Sequence, residues 1–132
     1  MTKSTSHLPE ANTYVSVVWH DSTACEGVRY AVRRISLAQR IELTRRVREL
    51  TLRNEYLRGG TTPDQLESTL GELLARRLYV EWGLAEIEGL TIDGNAASSE
   101  SLIEKGPEQL TQEIANSILS ELTISEQETK NS

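Results

Sequence analysis

Between Ser36 and Gly60 the chain reads SLAQRIELTRRVRELTLRNEYLRGG, with no proline and no glycine before its final two residues. Ser36 followed three residues later by Gln39 is a capping box, and Gly59-Gly60 is a helix stop signal. The interval holds about six helical turns, roughly 33 Å at 1.5 Å per residue. Everything else must be built against this rod. Leu43, Val47, Leu50, Asn54 and Leu57 form one apolar stripe along it. Leu37, Ile41 and Leu52, with Ala38 and Tyr56 beside them, form a second. The remaining sector carries Glu42, Arg46, Glu49 and Arg53, where Glu42–Arg46 and Glu49–Arg53 are favourable i,i+4 pairs. Two apolar flanks and one charged strip predict a central helix, contacted from both sides.

A second helix of similar length follows at once. Thr62 is placed as its N-cap, Pro63 as its first residue and Gln65 as the partner in a capping box. Leu66, Leu70, Leu73, Val80 and Leu84 continue one stripe, widened by Leu74 and interrupted by Arg77, with Gly83 as a C-cap. A four-residue connection between two long helices predicts an antiparallel αα-hairpin.

Upstream, residues 1–12 read as a polar flexible arm. Thr13–Trp19 is β-branched and aromatic, and Val28–Ile35 alternates, with Val28, Tyr30 and Val32 on one face and Arg29, Ala31 and Arg33 on the other. These are the strands of an antiparallel hairpin, which needs a helix beneath it or further strands beside it. Downstream, Gly89 and Asp93-Gly94 mark turns around short β pieces at Ala85–Glu88 and Leu90–Ile92. A short helix starts at Ser98 or Ser99 and stops at Gly106. Pro107 opens another, with Leu110, Ile114, Ile118 and Leu122 as a buried stripe, and Ser125 and Glu128 cap a last turn. The fold class is α+β: an N-terminal β-hairpin packed on a long antiparallel helix pair, then a short β/turn segment and C-terminal helices. Residues 13–124 make one domain and 125–132 a polar tail.

The 132 residues include no phenylalanine, so the core must come from Leu, Ile and Val with a few Trp and Tyr side chains. A lone cysteine, Cys25, forbids an internal disulfide and suits a reducing compartment. The N-terminus lacks a signal-peptide core, and no apolar run reaches membrane length, which predicts a cytoplasmic protein. Residues 1–58 hold ten Lys/Arg against six Asp/Glu, and residues 59–132 hold four against fourteen. The two halves are expected to complement one another when packed, or to offer two different partner surfaces.

Catalytic chemistry finds little to work with. His7, His20 and Cys25 lack metal-ligand spacing, and a Cys–His pair would have to be made by the fold. Gly59-Gly60 follows a helix and lacks a phosphate-loop lysine. Asp93–Glu104 has the length of a calcium loop, but Ala97 and Ser98 stand where a ligand and the turn glycine belong. No enzyme, cofactor or metal is expected. Nine arginines fall between Arg29 and Arg58 against three glutamates. Phosphate contact is one use for them. Against it stand the acidic total, the length of the helix and the lack of interleaved aromatics, so nucleic acid is not the expected partner. If the helix offers a surface to a protein, the candidate residues are Arg40, Arg45 and Arg48 with Leu43, Val47 and Leu50. The plainer reading consumes both stripes in the chain's own core.

The order of motifs carries a further expectation. A hairpin strand runs into RRISLAQRIEL, followed by RLYVEWGLAEIEGLTIDG, then SLIEKGPEQLTQEI and a SEQETKNS ending. This resembles the tail assembly chaperones of long-tailed bacteriophages and prophages over roughly residues 15–131. The resemblance implies a non-catalytic protein of the host bacterial cytoplasm that binds the tape measure protein and recruits tail tube subunits, with self-association a further possibility. It also implies a longer form made by ribosomal frameshifting, and Thr129-Lys130-Asn131 is compatible with the codons ACA AAA AAC, which contain a slippery run. The family supplies no active-site residues. Two other readings stand beside it: a structural tail or connector adaptor of the virion, and a nucleic-acid-binding regulator using the arginine helix.

Overall fold

The computed structural model describes residues 12–58 and 64–130, with side chains described for 12–53 and 69–123. Its elements in chain order are β1 (Val17–Asp21), β2 (Arg29–Arg33), α1 (Leu37–Arg58), α2 (Asp64–Gly83), β3 (Leu84–Glu88), β4 (Thr91–Ile92), β5 (Asn95–Ala96), α3 (Ser99–Lys105) and α4 (Glu108–Lys130). The architecture is α+β, as the pattern of elements predicts. Arm residues 1–11, the Gly59-Gly60 stop and the Thr62-Pro63 helix start lie outside the described residues.

β1 and β2 pair antiparallel with Val18 opposite Val32 and His20 opposite Tyr30. The hairpin gains a third strand, for β3 pairs antiparallel with the other side of β2, giving the order β1-β2-β3. β2 is therefore central, and its simple alternation breaks down. Ala31 is as fully buried as Tyr30 and Val32, although it points to the opposite face. Trp19 and Glu86 stand directly across from it on the two neighbouring strands, and the Arg29 guanidinium lies 4.8 Å over the Trp19 ring. β1 starts later than expected, at Val17 rather than Thr13. Strand structure extends only where a partner's backbone is there to pair, and beyond Arg33 the one further rung is Arg34 N–H donating to the Ser16 carbonyl.

The sheet's inner face rests on α4. Leu110, Ile114 and Ile118 are completely buried there, together with Tyr30, Val32, Val80, Leu84 and Leu102. Full burial of each such aliphatic side chain contributes roughly 1.5–3 kcal/mol. α2 enters this core through its C-terminal half, with Val80 and Trp82. The helix stops at Gly83, where the C-cap was expected, and the residue's small size also serves packing. Gly83 ends α2, Leu84 begins β3 immediately, and a Cβ there would fall within 2.9 Å of three side-chain atoms of Ile118. The glycine permits the close approach of α2 to α4.

α1 is not central. Ser36 caps it by accepting from the Gln39 N–H, and it packs along α2 as the expected antiparallel pair. Leu43 reaches the core and Val47 packs against it. The second stripe has no cover among the described residues: Leu37 is 78% exposed, Ile41 62% and Leu52 53%. The reason is topological. β3 takes the position beside β2, and α4 takes the sheet face, so no other described element reaches the far side of α1.

The short segment follows its sequence signals closely. Asp93 and Gly94 both adopt positive φ (53° and 83°) and close a two-residue hairpin between β4 and β5, the geometry an Asp-Gly pair favours. Ser98 caps α3 in a capping box with Ser101, and Gly106 ends it. α4 then runs unbroken to Lys130, without the interruption expected near Ser125.

Candidate functional site

Two surfaces stand out, and they lie on different elements. The first is the outward side of α1. Of the six residues proposed from sequence, the three apolar ones face inward: Leu43 is 5% exposed, and Val47 and Leu50 are half-buried. Leu50 lies in the groove between α1 and α2, which Arg46, Arg53, Leu74 and Leu78 also line. Leu43 is taken up by the core, and Val47 packs against it. The stripe left exposed is the other one, Leu37, Ile41 and Leu52, with Arg48 between them on the same side of the helix.

The arginines divide by environment. Arg45 donates to Glu42 at 2.7 Å and to Glu49 at 2.9 Å, and Arg46 donates to Glu42 at 2.9 Å. Glu49 therefore pairs backward with Arg45 rather than forward with Arg53. Hydrogen bonds from Arg46 and Arg45 hold the Glu42 carboxyl below its ordinary range, and Glu42 in turn raises the Arg45 guanidinium. Arg40 is half-buried. Arg48 is exposed and makes no ion pair among the described residues, which leaves a positive charge inside the apolar stripe.

The second surface was not expected from sequence. Glu113, on the sheet-facing flank of α4, takes four hydrogen bonds. Its Oε1 accepts from the Ser22 hydroxyl and the Ala24 N–H, both at 2.9 Å, and its Oε2 from the Thr23 N–H and the Tyr30 hydroxyl, both at 3.1 Å. Because the Tyr30 proton goes to Glu113, the Ser117 hydroxyl 2.8 Å away donates to Tyr30. Partial burial pushes the Glu113 carboxyl upward. The bonds from Ala24, Ser22, Thr23 and Tyr30 outweigh that and hold it below the ordinary carboxylate range. Burial, joined by the Glu113 charge, raises the Tyr30 phenol despite its bond to Ser117, so it stays a neutral donor. His20 stacks on Tyr30 with ring centroids 5.4 Å apart, and its Nε2 is buried without a hydrogen-bond partner among the described residues. A glutamate on a helix paired with a loop some ninety residues earlier leaves no local trace in sequence.

Around this network an open cleft of about 560 Å³ lies between β1 and α4, bordered by His20, Gln109, Gln112, Glu113 and Asn116 among others. Cys25 sits apart from it, half-buried against the core, with its N–H bonded to the Ser22 hydroxyl. Asp93 of the calcium-like stretch pairs with Lys105 at 3.3 Å. Among the described residues no group of three or more His, Cys, Asp or Glu side chains is placed to hold a metal ion, and no helix is long and apolar enough to cross a membrane. No protein-family model matches the chain, and neither curated proteins nor solved structures provide a match.

Proposed function

We propose that this chain is a non-catalytic binding protein that acts as a tail assembly chaperone of a long-tailed phage or prophage, holding the tape measure protein and recruiting tail tube subunits. The observation that carries the reading is the exposed Leu37–Ile41–Leu52 stripe with Arg48 within it, which makes no ion pair among the described residues. A holdase must offer apolar surface to its client while its remaining charge keeps the loaded complex in solution. Leu37, Ile41 and Leu52 supply the first, and the chain's net charge of −6 supplies the second. A nucleic-acid role draws less support, because Arg45 and Arg46 spend their charge on Glu42 and Glu49.

Co-expression with the tape measure protein encoded by the same genome tests this. The client is expected to become soluble and to co-purify with this chain. Failure of both would overturn the reading. Recovery of the protein from purified virions would instead favour a structural adaptor of the tail or connector.

A further inference from the structure

β1 is an edge strand, and its backbone tells which groups are free. The hydrogen bonds Arg34 N–H to Ser16 carbonyl and Ser22 N–H to Val28 carbonyl fix the even-numbered residues of β1 as the ones bonded to β2. In an antiparallel ladder the alternate residues turn their N–H and C=O away from the partner. Val17, Trp19 and Asp21 therefore present donors and acceptors outward, and no described strand pairs with them. The side chains of Val18 and His20 project inward, on the same face as their cross-strand partners Val32 and Tyr30. Below that edge lies the cleft, whose far wall is one face of α4: Gln109, Gln112, Glu113, Asn116 and Ser120. A free strand edge beside a helix-walled groove is the geometry by which extended peptides are captured through β-strand addition.

We propose that this cleft binds an extended polypeptide segment carrying a lysine or arginine, which adds as a fourth strand to the outer edge of β1. The inference is independent of the α1 surface and of the chaperone reading. Five residues of β1 accommodate about five residues of ligand, some 17 Å of extended chain. The volume of about 560 Å³ suits the side chains that such a strand would direct downward. Charge selects the class of segment. All four acceptor sites of Glu113 are filled by uncharged donors, so its negative charge is not neutralised by any ion pair among the described residues. Among the described residues no Lys or Arg lines the cleft. Asp21 on the rim pairs with Arg29 at 3.2 Å, which also reaches Glu88 at 3.7 Å, whereas Glu113 has no cation beside it among the described residues and is the charge an inward-facing cation would meet. A second copy of this chain fits less well, for its own β1 would bring Asp21 and no Lys or Arg.

The test uses nine-residue peptides alternating valine and threonine, with lysine, leucine or glutamate at the centre, titrated into the whole isotope-labelled chain. Main-chain bonds supply most of the affinity in strand addition, so saturable binding is expected for the set, tightest for lysine and about tenfold weaker for glutamate at low salt. Shifts should concentrate on Val17, Trp19 and Asp21 and on the cleft face of α4. N-methylation of the peptide's bonding amides, or Val17→Pro, which removes an outward N–H without touching the β2 ladder, should weaken binding about tenfold. Asn116→Arg, at an exposed position that leaves the sheet intact, should do the same for the lysine peptide. Absence of saturable binding by the whole set, indifference to the central charge, or shifts elsewhere would each overturn the proposal. A peptide-free dimer joined through β1 would overturn it in favour of a second copy.

Discussion

Glu113→Ala removes the α4 side chain that, among the described residues, hydrogen-bonds the β1–β2 loop. The loop from Ser22 to Ala24 makes three of the four bonds, and Tyr30 makes the fourth. Hydrogen bonds to an ionised group are worth about 1.5–3 kcal/mol each when water cannot replace them. The Ser22 and Tyr30 bonds are partly buried and count near the low end, about 3 kcal/mol together. The two backbone bonds are exposed, water substitutes for the carboxylate, and they add about 1 kcal/mol. The expected loss is therefore about 3–4 kcal/mol, a fall in Tm of about 10 °C for a chain of this size. Glu113→Gln keeps the shape and one acceptor oxygen, and should lose roughly half as much. Thermal and urea unfolding followed by far-UV circular dichroism measure both.

The same residue makes a pH prediction. Its folded-state carboxyl is held below the ordinary value, so the unfolded chain binds the proton more readily. Stability from Glu113 is then fully present above the ordinary carboxylate pKa and is lost as pH falls through the lower folded value, in the region below about pH 5. In Glu113→Gln that component should be absent and the stability curve correspondingly flatter on acidification. A loss below about 1 kcal/mol for Glu113→Ala, or parallel acid curves for the wild type and Glu113→Gln, would refute the role assigned to this carboxylate.

Other substitutions test the packing and the exposed stripe. Tyr30→Phe deprives both Glu113 and Ser117 of their partner and should cost about 1–2 kcal/mol by urea unfolding, with the fold retained. Gly83→Ala forces a methyl against Ile118 and should destabilise by about 1–3 kcal/mol. Gly89→Ala should cost at least as much, since φ is +83° and the new Cβ would run into the Gly27 carbonyl oxygen, which is backbone and cannot swing aside. The double variant Ile41→Glu/Leu52→Glu should change stability by no more than about 0.5 kcal/mol yet abolish recovery of the tape measure protein in co-expression. Leu43→Ala should instead unfold the chain more easily by about 2–5 kcal/mol.

The sequence was most informative where the physics is local. The Ser98 or Ser99 helix start, Asp93-Gly94 and the leucine and isoleucine spacing of α4 each act through residues within a turn of one another, and each element formed where its signal lies. The α1 stripes were equally visible, but their fates were not. Periodicity shows that Leu37, Ile41 and Leu52 share a side. Whether another element covers that side depends on where β3 and α4 go.

Those placements are long-range choices. That β3 would join β2, making a predicted half-exposed strand central and burying Ala31, depends on backbone groups more than fifty residues apart. The Glu113 network likewise joins residues about ninety apart, and no spacing rule reaches that far.

The long arginine-rich helix was thus determined in its existence, its cap and its two faces by residues 36–60 alone. The tertiary structure decided which face is buried, which charges are paired and where the open cleft lies. Caps and periodicity are set by neighbours three and four residues away, whereas coverage and charge pairing across the fold are set by whichever distant segments arrive beside them.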